Sequence, residues 1–529
     1  MKQHHFLKLA AMTTLVVVTA PQVQAQQEAA KMDTLTPNMQ AANGPIPGDL
    51  SLYEKELAEA AKGTSPGYYP SLGAAEISGS TRSGFFPAAS FTGSFDGQNR
   101  VYAWRSEDRY QGLTYIVNRK PGELYLLGGD YPPPAGPLPP GPYVAKADAT
   151  TGKQIWRTYL SNGNVSGGWI ANANLNILDN GNIPIAWSNQ IVLVDGDSGR
   201  ILKHNTLPVG NAPADDVNYK HLTIAPDRTL ILKCQTRPTG EKAQGTMAIF
   251  QGLMKGLKQP SSHLCAVDPD TLEILDHIPL PEPSSSPHII DKLGNEIAIY
   301  VPLNSGMMRV FWNSDAKKLT PDEAWIVKPM KPGQTTSTAP TIIGEWVAVQ
   351  TNGAGSDTVA SSIVVVHRND SKRMEVVFPF GELKKGEWSF APPKAGADLE
   401  NHMIYSADMG VGKVAGIKID PATGKLETKF VVDNATTTFQ PVIGPKDKRV
   451  LLLTNCKKNN PDQPMKAVVF SGNYKEQLTW RDAATGRLLA ESDYFEPITI
   501  NSLTSPGFGG RVYFPTIEDF ITLQVLPAR

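Results

Sequence analysis

A short motif recurs along the chain and consists of an apolar strand, an acidic turn and a second strand. Its five clear copies begin at Asp148, Asp195, Asp268, Asp420 and Asp482. In four of them the turn has the form Asp-x-x-Thr/Ser-Gly-Lys/Arg. The Asp and Thr/Ser side chains of such a turn bond backbone amides, and the glycine accepts a positive φ, so each copy predicts a tight hairpin. The motif therefore constrains the architecture much more than the chemistry.

The spacing of the motif predicts a repeating unit of about one propeller blade. The longest gap, from Asp268 to Asp420, contains degenerate copies at 312–315 and 367–370, which divide it into steps of 47, 55 and 50 residues. Roughly 40 to 50 residues is the usual length of a blade. Small or polar residues, a turn and an apolar run precede the motif in each unit, as expected for the two inner strands of a blade.

The end of the chain leaves one unit incomplete. Seven units carry both halves of the repeat, whereas residues 501–525 contain three strands before the chain stops. A propeller closes its ring because an open sheet edge invites aggregation, so we expect the missing strand to come from the segment around Arg100–Arg105. The sequence thus predicts an all-β protein, a single β-propeller of four-stranded blades closed by its N-terminal segment. Eight blades are favoured, and seven are the alternative.

The strand, turn and following aromatic residue of Asp148–Trp156 resemble the repeat of PQQ-like, quinoprotein-type β-propellers. The resemblance covers roughly residues 85–529 and implies a propeller fold. It leaves two function classes open, because the family includes quinone-dependent dehydrogenases and non-enzymatic propellers of the outer-membrane assembly type. For a dehydrogenase it would imply PQQ and Ca²⁺. No Cys-x-x-Cys-His haem attachment sequence is present, so no haem is expected.

The first residues indicate export. Residues 1–25 have a basic start, an apolar stretch and a small residue before a cleavage site at Gln26, as in a signal peptide. We expect residues 26–84 to be a flexible N-terminal lead or a strap, and residues 85–529 to be the propeller. No later run predicts a transmembrane segment. The protein is therefore expected to be periplasmic or secreted, and its formal net charge of -1 argues against binding nucleic acid.

The positions of two cysteines raise the question of a disulfide bond, which export would permit. Cys234 ends one inner strand and Cys265 begins the next, so the two are expected on antiparallel neighbours of one blade. A cross-strand disulfide between them would fit an oxidising compartment, and two free buried thiols are the alternative.

Any binding chemistry is expected at the axis, where the inner strands begin and polar groups converge on a channel. The candidate general bases there are His221, His288 and Glu387. The candidate ligand-binding residues are Trp169, Thr338, Trp388, Gln440 and Asn501. The pair Asp215 and Asp216 could hold Ca²⁺. The alternatives are structural: polar residues that bond strand amides, tryptophans packed between blades, and a solvated acidic loop tip.

Two functions are compatible with these residues and this fold. The first is an exported binding or interaction platform for a small molecule or a periplasmic protein. The alternative is a quinoprotein-type oxidoreductase that acts on an alcohol or similar substrate in the axial channel. The fold hosts both, so the sequence leaves open whether the protein is an enzyme and which cofactor it would use.

Overall fold

The computed structural model describes residues 39–75, 77–129, 141–160, 174–242, 249, 252, 255–328, 334–336, 339–352, 359–391, 394–438, 441–465, 468, 472–496 and 503–528. The N-terminal part contains strand β1 (Met39–Ala41), helix α1 (Tyr53–Gly63), and strands β2 (Phe85–Phe86) and β3 (Asn99–Arg105). None of the helices among these residues has the length and hydropathy needed to cross a bilayer.

The rest of the described chain forms eight successive blades. Blade 1 contains β4 (Tyr115–Asn118), β5 (Glu123–Gly128), β6 (Tyr143–Asp148) and β7 (Gln154–Tyr159). Blade 2 contains β8 (Ile183–Trp187), β9 (Gln190–Val194) and β10 (Ile201–Thr206), with residues 174–178 in the inner position. Blade 3 contains β11 (Val217–Ile224), β12 (Leu230–Thr236), β13 (His263–Val267) and β14 (Ile274–Pro279). Blade 4 contains β15 (Ile289–Leu293), β16 (Glu296–Pro302), β17 (Met307–Asn313) and β18 (Lys318–Val327).

The second half of the ring follows the same order. Blade 5 contains β19 (Thr335–Thr336), β20 (Thr341–Ile343), β21 (Trp346–Asn352), β22 (Ile363–His367) and β23 (Asp370–Val377). Blade 6 contains β24 (Gly396–Asp398), β25 (Met403–Asp408), β26 (Lys413–Ile419) and β27 (Leu426–Asp433). Blade 7 contains β28 (Val442–Ile443), β29 (Val450–Lys458), β30 (Tyr474–Asp482) and β31 (Leu488–Glu491). Blade 8 contains β32 (Ser505–Pro506), β33 (Arg511–Pro515) and β34 (Phe520–Pro527).

Blade 8 is completed by the N-terminal segment, as the sequence predicts. Strand β3 runs antiparallel to β34, with Val101 opposite Val525. Strand β1 then adds to β3 in parallel, with Met39 opposite Val101. The expected all-β propeller, its eight blades and its closure by the N-terminal segment are confirmed.

The apolar core lies between neighbouring blades. Every residue of β11 and β12 is buried, whereas the outer strand β14 of the same blade is partly exposed along its length. One core cluster joins Ile231 and Leu264 of blade 3 to Ile299 and Val310 of blade 4. Inner strands such as β5 and β16 read in the sequence as nearly continuous apolar runs, which is typical of strands buried on both faces.

The turn motif has the geometry that its residues predict. The Asp420 carboxylate accepts hydrogen bonds from the backbone N–H groups of Ala422 at 3.0 Å and Thr423 at 2.8 Å. Gly424 follows with a φ of +80°, and a Cβ atom there would lie 2.4 Å from the ring of Trp346 in the preceding blade. The glycine is thus needed both for its backbone conformation and for the close approach of the tryptophan.

Residues 65–75 and 77–86 cross the ring of blades, and we refer to them as the strap. Near its start, Gly73 forms a β-bridge with Asn118, the last residue of β4. The Tyr68 hydroxyl accepts a hydrogen bond from the N–H of Ile224, the last residue of β11. Residues 26–84 were expected to be a lead or a strap, and this part of the segment forms a strap.

The second half of the strap reaches the blades on the other side of the ring. The carbonyl of Ser80 accepts a 2.9 Å hydrogen bond from the N–H of Ile290 in blade 4. The carbonyl of Ser83 accepts one of 2.9 Å from Ala397 in blade 6. Strand β2 pairs in parallel with β28 of blade 7. The strap is therefore held by inner strands from both halves of the ring.

Candidate functional site

Four of the predicted ligand-binding residues, Trp169, Thr338, Gln440 and Asn501, lie outside the described residues. The other predicted site residues are His221, His288, Glu387, Trp388, Asp215 and Asp216. The structure brings only the two histidines together, in a buried group that also contains residues absent from the sequence-based prediction.

A β-bulge precedes His221. Asn218 lies opposite Gln235 and His221 lies opposite Lys233, so two residues of β11 face the single residue Cys234 of β12. A bulge re-aims the side chain that follows it. The His221 side chain is buried, and its Nδ1 atom has no hydrogen-bond partner among the residues that the structure describes.

His288 lies just before β15 and is completely buried. Neither of its ring nitrogens makes a hydrogen bond of normal geometry to another described residue. Its pKa lies well below the ordinary value, first because of burial and then because of the positive charges of Lys233 and Arg82, whereas a weaker hydrogen-bonding contact with the backbone of Ile231 opposes this shift. The pKa of His221 is also well below its ordinary value, because of burial and the charges of nearby basic residues. Both rings are neutral at pH 7.

Two buried lysines lie in the same region, Lys233 near both histidines and Lys394 near Arg82. The Lys233 ammonium donates to the carbonyl of Ser284 at 2.7 Å, and burial lowers its pKa to about 7, with the charge of Lys220 adding to the shift. The Lys394 ammonium donates to the carbonyl of Ala395 at 2.9 Å. The pKa of Lys394 lies well below its ordinary value because of burial and the charge of Arg82.

The strap contributes Arg82, which is 3% exposed and has a φ of +49°. A left-handed conformation is costly for a residue other than glycine and persists only where the surroundings fix it. Here the flanking residues Ser80 and Ser83 are bonded to blades 4 and 6. The Arg82 charge lowers the pKa of His221, of His288 and of Lys394, so the guanidinium lies within electrostatic range of all three. We refer to these five residues, Arg82, His221, Lys233, His288 and Lys394, as the axial cluster.

The axial cluster has one sign of charge among the described residues. Neither Lys233 nor Lys394 forms an ion pair with another described residue. The charged groups that lower the pKa values of the two histidines are all basic. A group of buried bases is costly to assemble unless something of opposite charge joins it.

Sequence reasoning missed three members of the cluster. Lys233 had a signal, because a lysine within the apolar run Leu230–Cys234 stands in a strand where every neighbour is buried. Arg82 and Lys394 lie in irregular segments, and no local pattern in the sequence marks them.

Glu387 and Trp388 do not join the axial cluster. The Glu387 carboxylate accepts a 2.8 Å hydrogen bond from the N–H of Lys384 and so stabilises its own loop. The Trp388 ring stacks on Phe390 at 5.3 Å within a packed group that includes Tyr474 of blade 7. For both residues the described contacts match the structural alternative.

The acidic pair Asp215 and Asp216 is also in contact with a basic side chain of the protein. Asp215 and Asp216 lie in a short 3₁₀ helix, and an Asp216 carboxylate oxygen is 3.4 Å from Nε of Arg237. The carbonyl of Asp215 accepts a hydrogen bond from the same guanidinium at 3.2 Å. Within the described part of the chain, His, Cys, Asp and Glu side chains form no group of three that could hold a metal ion.

Cys234 and Cys265 are both free and buried in the structure, which corresponds to the alternative to a disulfide between them. The two do lie on neighbouring strands of one blade, but the residue directly opposite Cys265 is Leu232. Cys234 instead accepts a 3.1 Å hydrogen bond from the N–H of His263. The cysteines are thus diagonal neighbours rather than a directly opposed pair.

No family model matches the sequence, and no curated protein matches it either. Solved structures match at the level of shape. A quinohemoprotein alcohol dehydrogenase from Pseudomonas putida is 10% identical, with a TM-score of 0.49 over 92% of this chain and 83% of its own. BamB from Moraxella catarrhalis is 10% identical, with a TM-score of 0.43 over 80% of this chain and 95% of its own. Sqt1 from Saccharomyces cerevisiae is 10% identical, with a TM-score of 0.48 over 80% of this chain and 99% of its own.

At these identities and TM-scores the similarity concerns the fold alone, and the activities of those proteins are not carried to this chain. The eight four-stranded blades and their Asp-x-x-Thr/Ser-Gly turns are present in the structure itself. The chain has the fold of a PQQ-like β-propeller, as its repeats predict.

Proposed function

We propose that the chain is an exported PQQ-like β-propeller that acts as a binding platform for a small molecule, with its ligand site at the axial cluster. The observation that carries this proposal is the completely buried His288 ring, whose two nitrogens make no hydrogen bond of normal geometry to the described part of the chain. Buried polar groups in folded proteins are almost always bonded to protein, water or a ligand. An imidazole at the axis with no normal hydrogen bond is therefore best explained by a ligand.

The location supports the same proposal. The cluster draws side chains from the strap and from blades 3, 4 and 6, so it lies where inner strands of several blades converge. Small-molecule sites favour concave places where several elements bring a few polar groups together. Arg82 belongs to the strap, His221 and Lys233 lie in strands β11 and β12, and His288 and Lys394 lie just before strands β15 and β24.

The alternative function, a quinoprotein oxidoreductase, would need a site for PQQ and Ca²⁺. The basic cluster would suit the carboxylates of the quinone. The metal part does not fit the described residues, because they offer no group of three ligating side chains and Asp216 faces Arg237. We therefore derive no reaction step through this cofactor.

Export is part of the proposal, since the predicted signal peptide lies outside the described residues. Expression of the full chain in a Gram-negative host, followed by N-terminal sequencing of the periplasmic fraction, tests it. A mature protein that begins at Gln26 supports export, whereas a cytoplasmic protein with residues 1–25 retained contradicts it.

Binding is tested on the same purified material. Native and denaturing mass spectra of the mature protein should differ by the mass of a released small molecule, and His288→Ala should lose that molecule. The protein is then incubated with PQQ and Ca²⁺, and alcohol-dependent reduction of a dye is measured. Turnover in that assay would favour the oxidoreductase, and the absence of any ligand in mass spectra and binding screens would contradict the platform.

A further inference from the structure

Resting on the proposed function, we infer that residues 79–84 of the strap are a gate, which opens as a local unit and lets a small molecule reach His288. The His288 side chain is completely buried, so a molecule that binds its ring must displace part of the chain. We refer to residues 79–84 as the gate and to the rest of the strap as its flanks.

Hydrogen bonds place the gate next to the segment that carries His288. The carbonyl of Ser80 accepts a 2.9 Å hydrogen bond from the N–H of Ile290, two residues after His288. The carbonyl of Thr81 accepts one of 3.5 Å from the hydroxyl of Thr341 in blade 5, and the end of the gate is bonded to blades 6 and 7. The gate therefore runs along the inner strands from blade 4 to blade 7.

The gate has no apolar side chain, since its sequence is Gly-Ser-Thr-Arg-Ser-Gly. The flanks do have such side chains: Leu72 and Ile77 are buried before the gate, and Phe86 is buried after it and lies opposite Ile443 of β28. A hydrogen bond within a protein replaces one to water and adds little net stability, whereas each buried apolar side chain adds more. The gate should therefore open at a lower free energy than its flanks.

The docked gate also has a strained backbone. Arg82 within it and Ser78 just before it have positive φ angles of 49° and 56°. Such angles are costly for residues other than glycine, so undocking relieves strain. Gly79 and Gly84, at the two ends, have φ angles of 90° and 72°, and glycine can absorb the change of backbone angles that opening requires. The gate thus lies between two glycine hinges.

Two backbone amides report on the gate. The innermost strands β15 and β24 each have a single neighbouring strand, and the N–H groups of Ile290 and Ala397 donate to gate carbonyls instead of to that neighbour. Their protection from hydrogen exchange therefore depends on the docked gate. The N–H groups of Asn118 and Ile177 donate in the same way to carbonyls of the flank before the gate, so they provide the comparison.

The first experiment follows hydrogen exchange of the mature chain by mass spectrometry with fragmentation to single residues. After correction for intrinsic exchange rates, the amides of Ile290 and Ala397 should be about tenfold or more less protected than those of Asn118 and Ile177. Equal protection of all four amides, at the level set by global unfolding, would overturn the inference, because the gate would then open only when the protein unfolds.

Gly84→Ala tests the hinge. An alanine at this φ of 72° penalises the docked gate but not the open one, so exchange at Ile290 and Ala397 should become roughly five- to thirtyfold faster. Gly412→Ala is the matched control, because Gly412 has the same φ of 72° in the turn between β25 and β26. The control should leave both amides unchanged. Exchange that Gly84→Ala leaves unchanged would also overturn the inference.

Access to the site is measured on His288→Cys with iodoacetamide as the probe. The introduced thiol should be alkylated in the native state while Cys234 and Cys265 stay unmodified, and Gly84→Ala should accelerate this alkylation by the same factor as the amide exchange. No alkylation, or a rate that Gly84→Ala does not change, would overturn the inference. If His288→Cys does not fold, the exchange measured in Gly84→Ala and Gly412→Ala decides.

The proposed function fails on a different result. Mass spectra without a bound small molecule would contradict the binding platform, whatever the exchange of the gate amides. A bound molecule that is lost in His288→Ala, together with a gate that opens only on global unfolding, would keep the platform and reject the gate.

Discussion

His221 and Lys233 lie directly opposite each other on β11 and β12, and both side chains are buried. Each is a base whose pKa is lowered by burial and by further basic neighbours. A bulge of one residue in β11 precedes this pair, so its position depends on an irregularity of the sheet rather than on the regular alternation of a strand. Both residues belong to the axial cluster, so strands β11 and β12 of blade 3 carry this part of the cluster.

The buried Lys233 should make the stability of the free protein depend on pH. Its pKa is about 7 in the folded chain, against 10.5 for an ordinary lysine. Between these values the unfolded chain binds more protons, so the free energy of unfolding should rise with pH from about 7 to 10.5. Below pH 7 the penalty of burying the charge is fully present.

The measurement compares Lys233→Met with the wild type by urea unfolding at several pH values. The difference between their free energies of unfolding should change by up to about 1.4 kcal/mol per pH unit within this window, because only the wild type has the buried amine. Lys203→Met is the control and should show no such trend. A constant difference between Lys233→Met and the wild type across the window would contradict the assignment.

Gly424 should be more sensitive to substitution than a glycine with the same backbone conformation and open space. Gly424→Ala places a methyl group 2.4 Å from the ring of Trp346, whereas Gly412, with a φ of +72°, has no atom within 4 Å of that position. Gly412→Ala should cost about 1 kcal/mol for the left-handed backbone. Gly424→Ala should cost about 1 to 3 kcal/mol more, because of overpacking.

Denaturant unfolding of the two variants measures their losses of unfolding free energy. Equal losses would show that the contact with the Trp346 ring adds no cost and that only the backbone conformation matters.

The cysteines should be unreactive in the folded protein and available after unfolding. Burial raises the pKa of Cys234 to about 11 and that of Cys265 further, so the nucleophilic thiolate is scarce at pH 8. A thiol reagent should label none of the three cysteines in the native state and all three in denaturant without reductant. Finding one labelled thiol in denaturant, and three only after reduction, would show that a disulfide forms.

Ring closure by β3 should be essential for folding. Val101 is buried where β3 meets β34, while its neighbour Arg100 is exposed. Val101→Asp places a charge without a partner in the core and should cost about 3 kcal/mol or more, whereas Arg100→Asp should cost much less. Deletion of residues 1–38 should leave the melting temperature nearly unchanged.

Thermal unfolding by circular dichroism checks all three variants. A cooperative transition of Val101→Asp at the wild-type temperature would refute the role of β3 in closing the ring.

The sequence was sufficient for the fold because the repeat specifies it locally. The turn at Asp420 contains its own hydrogen-bond acceptor and its own glycine, and the unit recurs at the length of a blade. Even the copy without glycine keeps the turn, since Leu272 adopts the positive φ of 62° that glycine takes elsewhere. The closure of the ring by the N-terminal segment could be predicted because the last repeat contains only three strands.

The site was harder to predict from the sequence, because its residues lie far apart along the chain. His221 and His288 were identified from their positions in inner strands, and the structure places the two close to each other, while their role as site residues stays a prediction. Arg82 reaches the cluster only because the strap crosses the axis, and that path depends on backbone hydrogen bonds to several blades. Hydrogen bonds of backbone groups leave no signature in side-chain identity, so neither Arg82 nor Lys394 could be predicted.

The most direct test of the axial site is the crystal structure of the mature protein purified with its ligand. We expect electron density for a small molecule within hydrogen-bond distance of His288, and no such density in crystals of His288→Ala. Wild-type crystals in which the His288 nitrogens contact only protein and ordered water would contradict a ligand site in the axial cluster.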